Sequence, residues 1–553
     1  MADFERTQYE QRFASLKKER SSWEEQWRDV AELLLPTTGR WLVENNNDGR
    51  KKFNRIIDST ATEALNVLAS GMMAGATSPA RPWFRLTTMD AELDESLAVK
   101  QWLDDVTMMM QLIFAKSNVY RMLPMMYEEL GVFGTGAAVF LPDHQHVVHC
   151  YPLTAGEYAL ACDAKGQVDT LYREFRMTAD QIVRHFGYEA ASQQVKSAFE
   201  RPSGRDQWFT VVQAIEPRPE AARNPRAKDA RNMPWRSVYF EQGESQPLRE
   251  SGFKRFPGLC PRWRVLGGDV YGHSPGMAAL GDIKQLQHRQ KQKDKALDYQ
   301  VAPPLQVPTT LKGRESAFLP GGISYVDMAN PNGGVRTAFE VSLDLNGVRE
   351  DIMDVRQRVR AAFFTDVFLM ISQRGGVQPL TAAEIAERHE EKLMIMGPVL
   401  ENLHHELMEP LVDQTFVVAL ESNLLPPPPQ ELQGKELSIE FVSTLAQAQR
   451  AMSTNAIDRY TLALGTIAQM KPEVLDKFDA DKWADIYSDA LGINPGLIVS
   501  GEQVTLVRQQ RAEQMAQQQK MEAIQKMAGT AAQLGNVPTG EQNALSDMLG
   551  AEA

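Results

Sequence analysis

The chain has 553 residues, of which 43% are hydrophobic and 24% charged, and its formal net charge is −13. That length accommodates about three to five structural units, and that composition excludes a mainly disordered chain. A compact acidic protein repels nucleic acid in bulk, which disfavours a tight DNA-binding domain but leaves room for a protein that touches DNA without gripping it.

The N-terminus, Met1-Ala2-Asp3-Phe4-Glu5-Arg6, lacks the apolar core of a signal peptide. Over the first 35 residues Phe13, Leu16, Trp23, Trp27, Val30 and Leu34 recur at steps of three, four or seven, which predicts one amphipathic helix ended by Pro36. A second helix is expected after the cap cluster Asp58-Ser59-Thr60, with small residues (Ala69-Ser70-Gly71) that permit close backbone packing. Residues 97–130 predict further helices, interrupted near Ser117-Asn118.

From about residue 135 the pattern turns to short strands at 137–141, 147–151 and 158–162, with Asp163-Ala164-Lys165-Gly166 turning into 170–175. A brief helix at 178–187 is followed by a strand at 209–215. The proline- and arginine-rich stretch 216–234 reads as a surface loop, and a strand pair is expected at 236–241 and 259–265.

Ser274 as N-cap and Pro275 at the first helical position announce a helix over 274–300, which would reach about 40 Å. Its middle, Gln287 to Lys295, contains no apolar side chain. A helix polar all round spans water or meets partners rather than its own core. Breaker-rich residues 301–344 separate it from a returning helix at 345–370 that carries Val348, Ile352, Val355, Val359, Phe363 and Val367. A projecting hairpin of this kind is unstable alone and makes sense if copies pack side by side.

After Ser372 to Pro379, a helix from Thr381 to about Glu421 is expected to bend at Gly397-Pro398. Leu425-Pro426-Pro427-Pro428-Pro429 is an extended spacer, 435–442 reads as a strand, 445–499 as a small helical unit, and the tail from Glu502 as helical at first. Three cysteines (Cys150, Cys162, Cys260) are too few and too odd for a disulfide scaffold, pointing to a reducing compartment. No run of about 18 apolar residues predicts a membrane span. A soluble chain made in the cytoplasm is therefore expected.

Catalytic and metal motifs fare poorly. Gly272-His273-Ser274-Pro275-Gly276 matches G-x-S-x-G, but the residue after a nucleophile-elbow serine must donate a backbone N–H, and Pro275 has none. His144, His146, His149 and Cys150 lack a second ligand pair, and no H-E-x-x-H surrounds His389 or His404-His405. Gly131 to Gly136 carries its glycines in the wrong order for a dinucleotide fingerprint, and there is no Walker motif. The paired acids Glu128-Glu129 read as solvated helix faces. Arg289, Lys291, Lys293 and Lys295, with Arg349, Arg356, Arg358 and Arg360 on the returning helix, either line a nucleic-acid path or pair with acids of a neighbouring subunit. The sequence leaves both open.

Several stretches, each weak alone, are specific in their order and spacing. They are Trp27…Leu35-Pro36, Asp58-Ser59-Thr60…Gly71-Met72, Pro79…Trp83-Phe84-Arg85-Leu86, Gly134-Thr135-Gly136 and Tyr271 to Gly276. Thr381-Ala382-Ala383-Glu384-Ile385, Gly397-Pro398-Val399-Leu400 and Leu424-Leu425-Pro426 complete the set. Over residues 5–500 the chain resembles the portal (head-to-tail connector) proteins of short-tailed bacteriophages, although that family often has Thr where Ala383 stands.

The resemblance implies an α+β, mainly helical portal fold. It would have a wing (1–270 and the long helix 380–430), a stem (271–300 and 345–371), a clip (301–344), a channel loop (372–379), a crown (431–500) and a C-terminal helical tail or barrel (501–553). It implies a structural protein without enzyme activity, cofactor or metal, acting as a ring of about twelve subunits at one capsid vertex of the virion, assembled in the host cytoplasm. Double-stranded DNA would pass through without sequence readout. Terminase large subunit, tail adaptor, major capsid and scaffolding proteins would be partners, and no membrane would be. Channel candidates are Gln373, Arg374, Gly375 and Gly376 of the loop, with Arg289, Lys291, Lys293, Lys295, Arg356 and Arg360 of the stem. The alternatives are a hydrolase using Ser274 and a monomeric DNA-binding adaptor.

Overall fold

The computed structural model describes residues 6–42, 55–88, 90, 96–224, 227, 229–244, 246–301, 305–306, 336–337, 345–372, 396–432, 435, 437–442, 460–468, 471, 473, 478–491 and 501–535. In chain order the first elements are α1 (Arg6–Leu34), α2 (Thr60–Ala76), β1 (Phe84–Thr88), α3 (Leu97–Lys116), α4 (Val119–Phe133), β2 (Ala137–Asp143), β3 (Val147–Leu153), β4 (Tyr158–Cys162) and β5 (Val168–Thr178). Then come α5 (Ala179–Phe186), α6 (Gln193–Glu200), β6 (Trp208–Pro217), β7 (Trp235–Glu241), β8 (Pro247–Phe253) and β9 (Gly258–Leu259). The remainder are α7 (Pro275–Ala278), α8 (Leu280–Val301), β10 (Leu305–Gln306), β11 (Arg336–Thr337), α9 (Leu345–Ala362), α10 (Thr365–Ser372), α11 (Glu409–Glu421), β12 (Leu437–Phe441), α12 (Ala480–Leu491) and α13 (Gly501–Gly535). The fold is α+β and mainly helical.

The chain divides into two compact units. The larger takes in 1–86, 104–427 and 439–453, and the smaller 87–103, 428–438 and 454–553. Residues 87–103, which chain order groups with the first 270 residues, thus cluster with the C-terminal segments.

In the larger unit, β4-β5-β6-β7-β8 form an antiparallel sheet. Strand alternation gives it two apolar faces. Tyr9, Phe13 and Leu16 of α1 cover one, against Ala159, Tyr172, Val212, Val238 and Phe240. Ala179, Ile182 and Val195 of the short helices cover the other, against Val211, Tyr239 and Leu248. A complete capping box starts α5, with Gln181 N–H donating to Thr178 Oγ1 and Thr178 N–H to Gln181 Oε1.

The expected partner of the 236–241 strand differs from the observed one. β7 pairs with β8, and of the expected strand at 259–265 only Leu259 lies in a strand, Gly258–Leu259, which pairs with β2, with Arg262 adding an isolated bridge to Thr135. The reason is register: Pro247-Leu248-Arg249-Glu250 is a polar edge strand whose alternation is weak, whereas Phe140 N–H reaches the Pro257 carbonyl at 2.8 Å and draws the later segment to the other sheet.

The small residues of α2 do what their size permits. A Cβ on Gly71 would stand 2.3 Å from the Phe368 ring, so α2 and α10 pack at glycine distance. Residues 396–421 continue as helix through Gly397-Pro398, with a π-turn at His404–Met408; the 381–395 part of that expected helix lies outside the described residues. The π-turn presents Glu406 to Arg262, whose backbone N–H and guanidinium both bind it (Arg262 N–Glu406 Oε2 2.8 Å) in a pair that is buried on the arginine side.

The smaller unit, taken by itself, holds α12 and α13, joined by a bidentate Arg508–Asp481 pair at 2.5 and 2.7 Å. The helical tail expected from Glu502 is present, and it runs past Gly529 to Gly535. Residues 505–521 are exposed on every side. Among the described residues no helix is long and apolar enough to cross a membrane.

Candidate functional site

The hairpin of α8 and α9 begins at a backbone crossing. Gly134 ends α4 in the left-handed region (φ 73°), and a Cβ there would stand 2.2 Å from the Gly272 carbonyl oxygen. Trp263 N–H donates to the Gly134 carbonyl and Gly272 N–H to Thr135 Oγ1, both at 2.8 Å. Gly134 and Gly272 therefore serve close approach of two backbones, whereas Gly131 makes room for the Leu65 side chain. Next to the crossing, Tyr271 packs edge-on against Trp27 at 5.1 Å, and its hydroxyl accepts the Leu160 N–H.

Ser274 is buried. Its Oγ accepts from Met277 N–H and donates to the Val132 carbonyl, both at 2.8 Å. With its proton held by a carbonyl and Pro275 next in sequence, it caps a helix and has no base to activate it. The expected single helix 274–300 is interrupted at Ala279, so that the one-turn α7 precedes the 22-residue α8.

The polar run 287–295 is less solvated than its composition implies. Gln287 and Gln290 are buried, because both engage the loop that precedes α2. Gln287 Oε1 accepts the Ile57 and Asp58 N–H groups at 2.7 and 2.9 Å, and its Nε2 donates to the Asp58 carbonyl. Asp58 Oδ1 accepts from Thr60 N–H and Oγ1–H, while Oδ2 accepts from Gln290 Nε2 at 2.8 Å and from Arg356 at 2.8 and 3.0 Å. Burial works to raise the Asp58 pKa, but the bonds from Thr60, Gln290 and Arg356 outweigh it and hold the carboxyl down at about 2. One carboxylate just ahead of α2 thus ties both hairpin helices to the rest of the larger unit.

Between the helices, Leu286 meets Ile352 and Val355 with Val348 alongside, and Arg289–Asp351 and Arg358–Asp282 pair across the seam at 3.1 Å each. Beyond the helices, Leu305 and Gln306 pair antiparallel with Thr337 and Arg336. The rest of 302–344 lies outside the described residues.

The sequence-derived candidates separate accordingly. Arg289 and Arg356 are engaged within their own chain, a possibility outside the two the sequence suggested. Lys293 donates to Gln290 Oε1 at 3.2 Å, and Lys295 lies 5.8 Å from the Tyr299 ring. Lys291 and Arg360 are exposed and make no ion pair among the described residues. Gln373, Arg374, Gly375 and Gly376 lie outside the described residues.

Asp58, Gln287, Gln290 and the Arg262–Glu406 pair escaped the sequence reading, since nothing local marks partners more than 140 residues apart. Glu129 also departs from its expected solvated face: it is buried and accepts from Thr154 and Ala155. No cluster of histidine, cysteine or carboxylate side chains suited to a metal occurs among the described residues.

The Asp58 cluster fixes the α8–α9 hairpin of an α+β chain against the start of α2. The sequence matches the family described as "Bacteriophage head to tail connecting protein" over residues 6–499, and the chain belongs to that family. It is 56% identical over 540 residues to the "Probable portal protein" of Bordetella phage BPP-1, covering 97% of this chain and 96% of that one. It is 40% identical over 554 residues to the "Portal protein" of Salmonella phage epsilon15, covering 100% and 99%. A solved structure, the neck of an empty GTA particle, matches at 13% identity over 76% of this chain and 92% of that one, with a TM-score of 0.32, too low to compare folds in detail.

Proposed function

We propose that this chain is the portal subunit of a phage: about twelve copies form a ring at one capsid vertex of the virion. Its central channel passes the genome during packaging and ejection, and its outer ends meet the terminase large subunit, the tail adaptor, and the major capsid and scaffolding proteins. The observation that carries this reading is family membership over 6–499 together with near full-length identity to two proteins named as portals. The anchored hairpin supports it as the stem, with 301–344 as clip, 372–379 as channel loop, 431–500 as crown and 501–553 as tail or barrel.

The mechanism needs no bond chemistry. DNA slides when its contacts are numerous and individually weak, because strong phosphate binding would stall it and base readout would make progress depend on sequence. An acidic ring with a few basic residues on its inner surface meets that demand. Gln373, Arg374, Gly375 and Gly376 are proposed as the loop that approaches DNA. Assembly takes place in the host cytoplasm on this reading. Electron microscopy of the purified protein tests it: rings with a hole of about 20 Å or more, duplex width, are expected, and a uniform monomer overturns it.

A further inference from the structure

We infer that the outer faces of the two hairpin helices are the two halves of one head-to-tail contact between copies of this chain, with Lys291 of one copy against Glu350 of the next. This deepens the ring reading and rests on it.

On α8 the buried side chains are Ile283, Leu286, Gln287 and Gln290. The opposite face, at steps of three and four residues, presents Lys284, His288, Lys291 and Lys295, followed by the single carboxylate Asp298 at its far end. On α9 the buried side chains are Ile352, Val355 and Val359, and the opposite face presents Glu350, Asp354 and Gln357 and no cation. The two helices pack against each other through their buried stripes, so these two faces point away from the seam in opposite directions. One hairpin therefore has a cationic back and an anionic front.

Such a pair of faces cannot satisfy itself within one chain, and a two-fold dimer would set like charges together. Repetition by rotation, each copy's back against the next copy's front, sets unlike charges together at every step and closes into a ring. The heights of Lys291 and Glu350 agree as well. The Arg289–Asp351 and Arg358–Asp282 pairs fix the antiparallel register, placing Lys291 within one residue, about 1.5 Å of rise, of the level of Glu350. Lys284 is already engaged by Asp29 at 2.6 Å, whereas Lys291, Lys295 and Glu350 make no ion pair among the described residues. Asp354 reaches only Arg358, at 3.5 Å, with its side chain 70% exposed. On this assignment Lys291 belongs to the seam between subunits and not to the DNA path.

The test uses the full-length protein with Lys291→Glu, Glu350→Lys and the double exchange, read as ring fraction by mass photometry and electron microscopy across a salt series. Each single exchange is expected to lower the ring fraction at low salt, by roughly two- to five-fold per interface, and the double exchange to restore it. A second variant, Lys291→Cys with Glu350→Cys, is expected to give a ladder of disulfide-linked oligomers under oxidation. Normal rings with no coupling between the exchanges and no ladder overturn this inference while leaving the ring reading intact. Wild-type protein that forms no ring overturns both.

Discussion

Glu129 shows how far a side chain's environment can depart from its neighbour's. Glu128 and Glu129 are adjacent on α4, yet only Glu129 points inward, where it accepts from Thr154 Oγ1 at 2.6 Å and Ala155 N–H at 3.1 Å. Burial pushes its pKa up from 4.5 to about 8, against the lowering effect of those two bonds and with help from Glu157 and Glu128. A folded pKa above the unfolded one means that the folded state holds a proton the unfolded state releases. The associated stability is complete below pH 4.5 and is lost as pH rises through 8. Glu129→Gln copies the protonated acid, whose Oε1–H, like the amide NH2, reverses the Thr154 bond and donates to Thr154 Oγ1 while the other oxygen accepts from Ala155 N–H. The variant should match the wild type at pH about 4 and exceed it by a few kcal/mol near pH 9, in thermal unfolding midpoints followed across that range. An unchanged difference from pH 4 to 9 would contradict a protonated Glu129.

At the scale of elements, the hairpin's attachment is concentrated on Asp58. Removing that carboxylate leaves Thr60, Gln290 and Arg356 without their shared acceptor, although Arg356 is 39% exposed and can turn to water. Asp58→Ala is therefore expected to cost about 2–3 kcal/mol, at the lower end for a broken buried ion pair. Hydrogen–deuterium exchange should show faster exchange in α8 and α9 and little change in the five-stranded sheet. With a folded pKa of about 2 below the ordinary 3.8, the Asp58 contribution is present above pH 3.8 and disappears as pH falls through 2. Elements whose cause is local were readable beforehand: α1 from its apolar stripe, the helix after Ser274 from Ser-Pro. The partner of β7 was not, because strand pairing is decided by which edge is free and which face is covered. Chain order says neither.

For the whole molecule, the proposed division into stem and clip has a direct consequence. If the side-by-side contact lies along α8 and α9, replacing 301–344 by a short linker should leave ring formation intact while abolishing packaging or tail attachment. Particle counts by electron microscopy and a packaging assay on the same preparation separate these effects. Loss of rings in that variant would move the main assembly interface into the clip. The net charge of −13 also takes its meaning at this scale. The α8 and α9 helices together hold nine lysine and arginine against six aspartate and glutamate residues, so the hairpin is positive within an acidic chain.

Sequence alone was enough for α1 to α4 and β2 to β5, for rejecting Ser274 as a nucleophile through the missing Pro275 N–H, and for the family, because periodicity, caps and motif spacing act over a few residues or are carried by order along the chain. Tertiary structure alone decided which polar groups are interior. Gln287 and Gln290 look solvated in a nine-residue polar run and are buried; Arg289 and Arg356 look available and are engaged. The reason is physical: a buried polar group persists only where its hydrogen bonds are met, and the groups that meet them are brought close by packing, from positions more than 200 residues away in the case of Asp58 and Gln290.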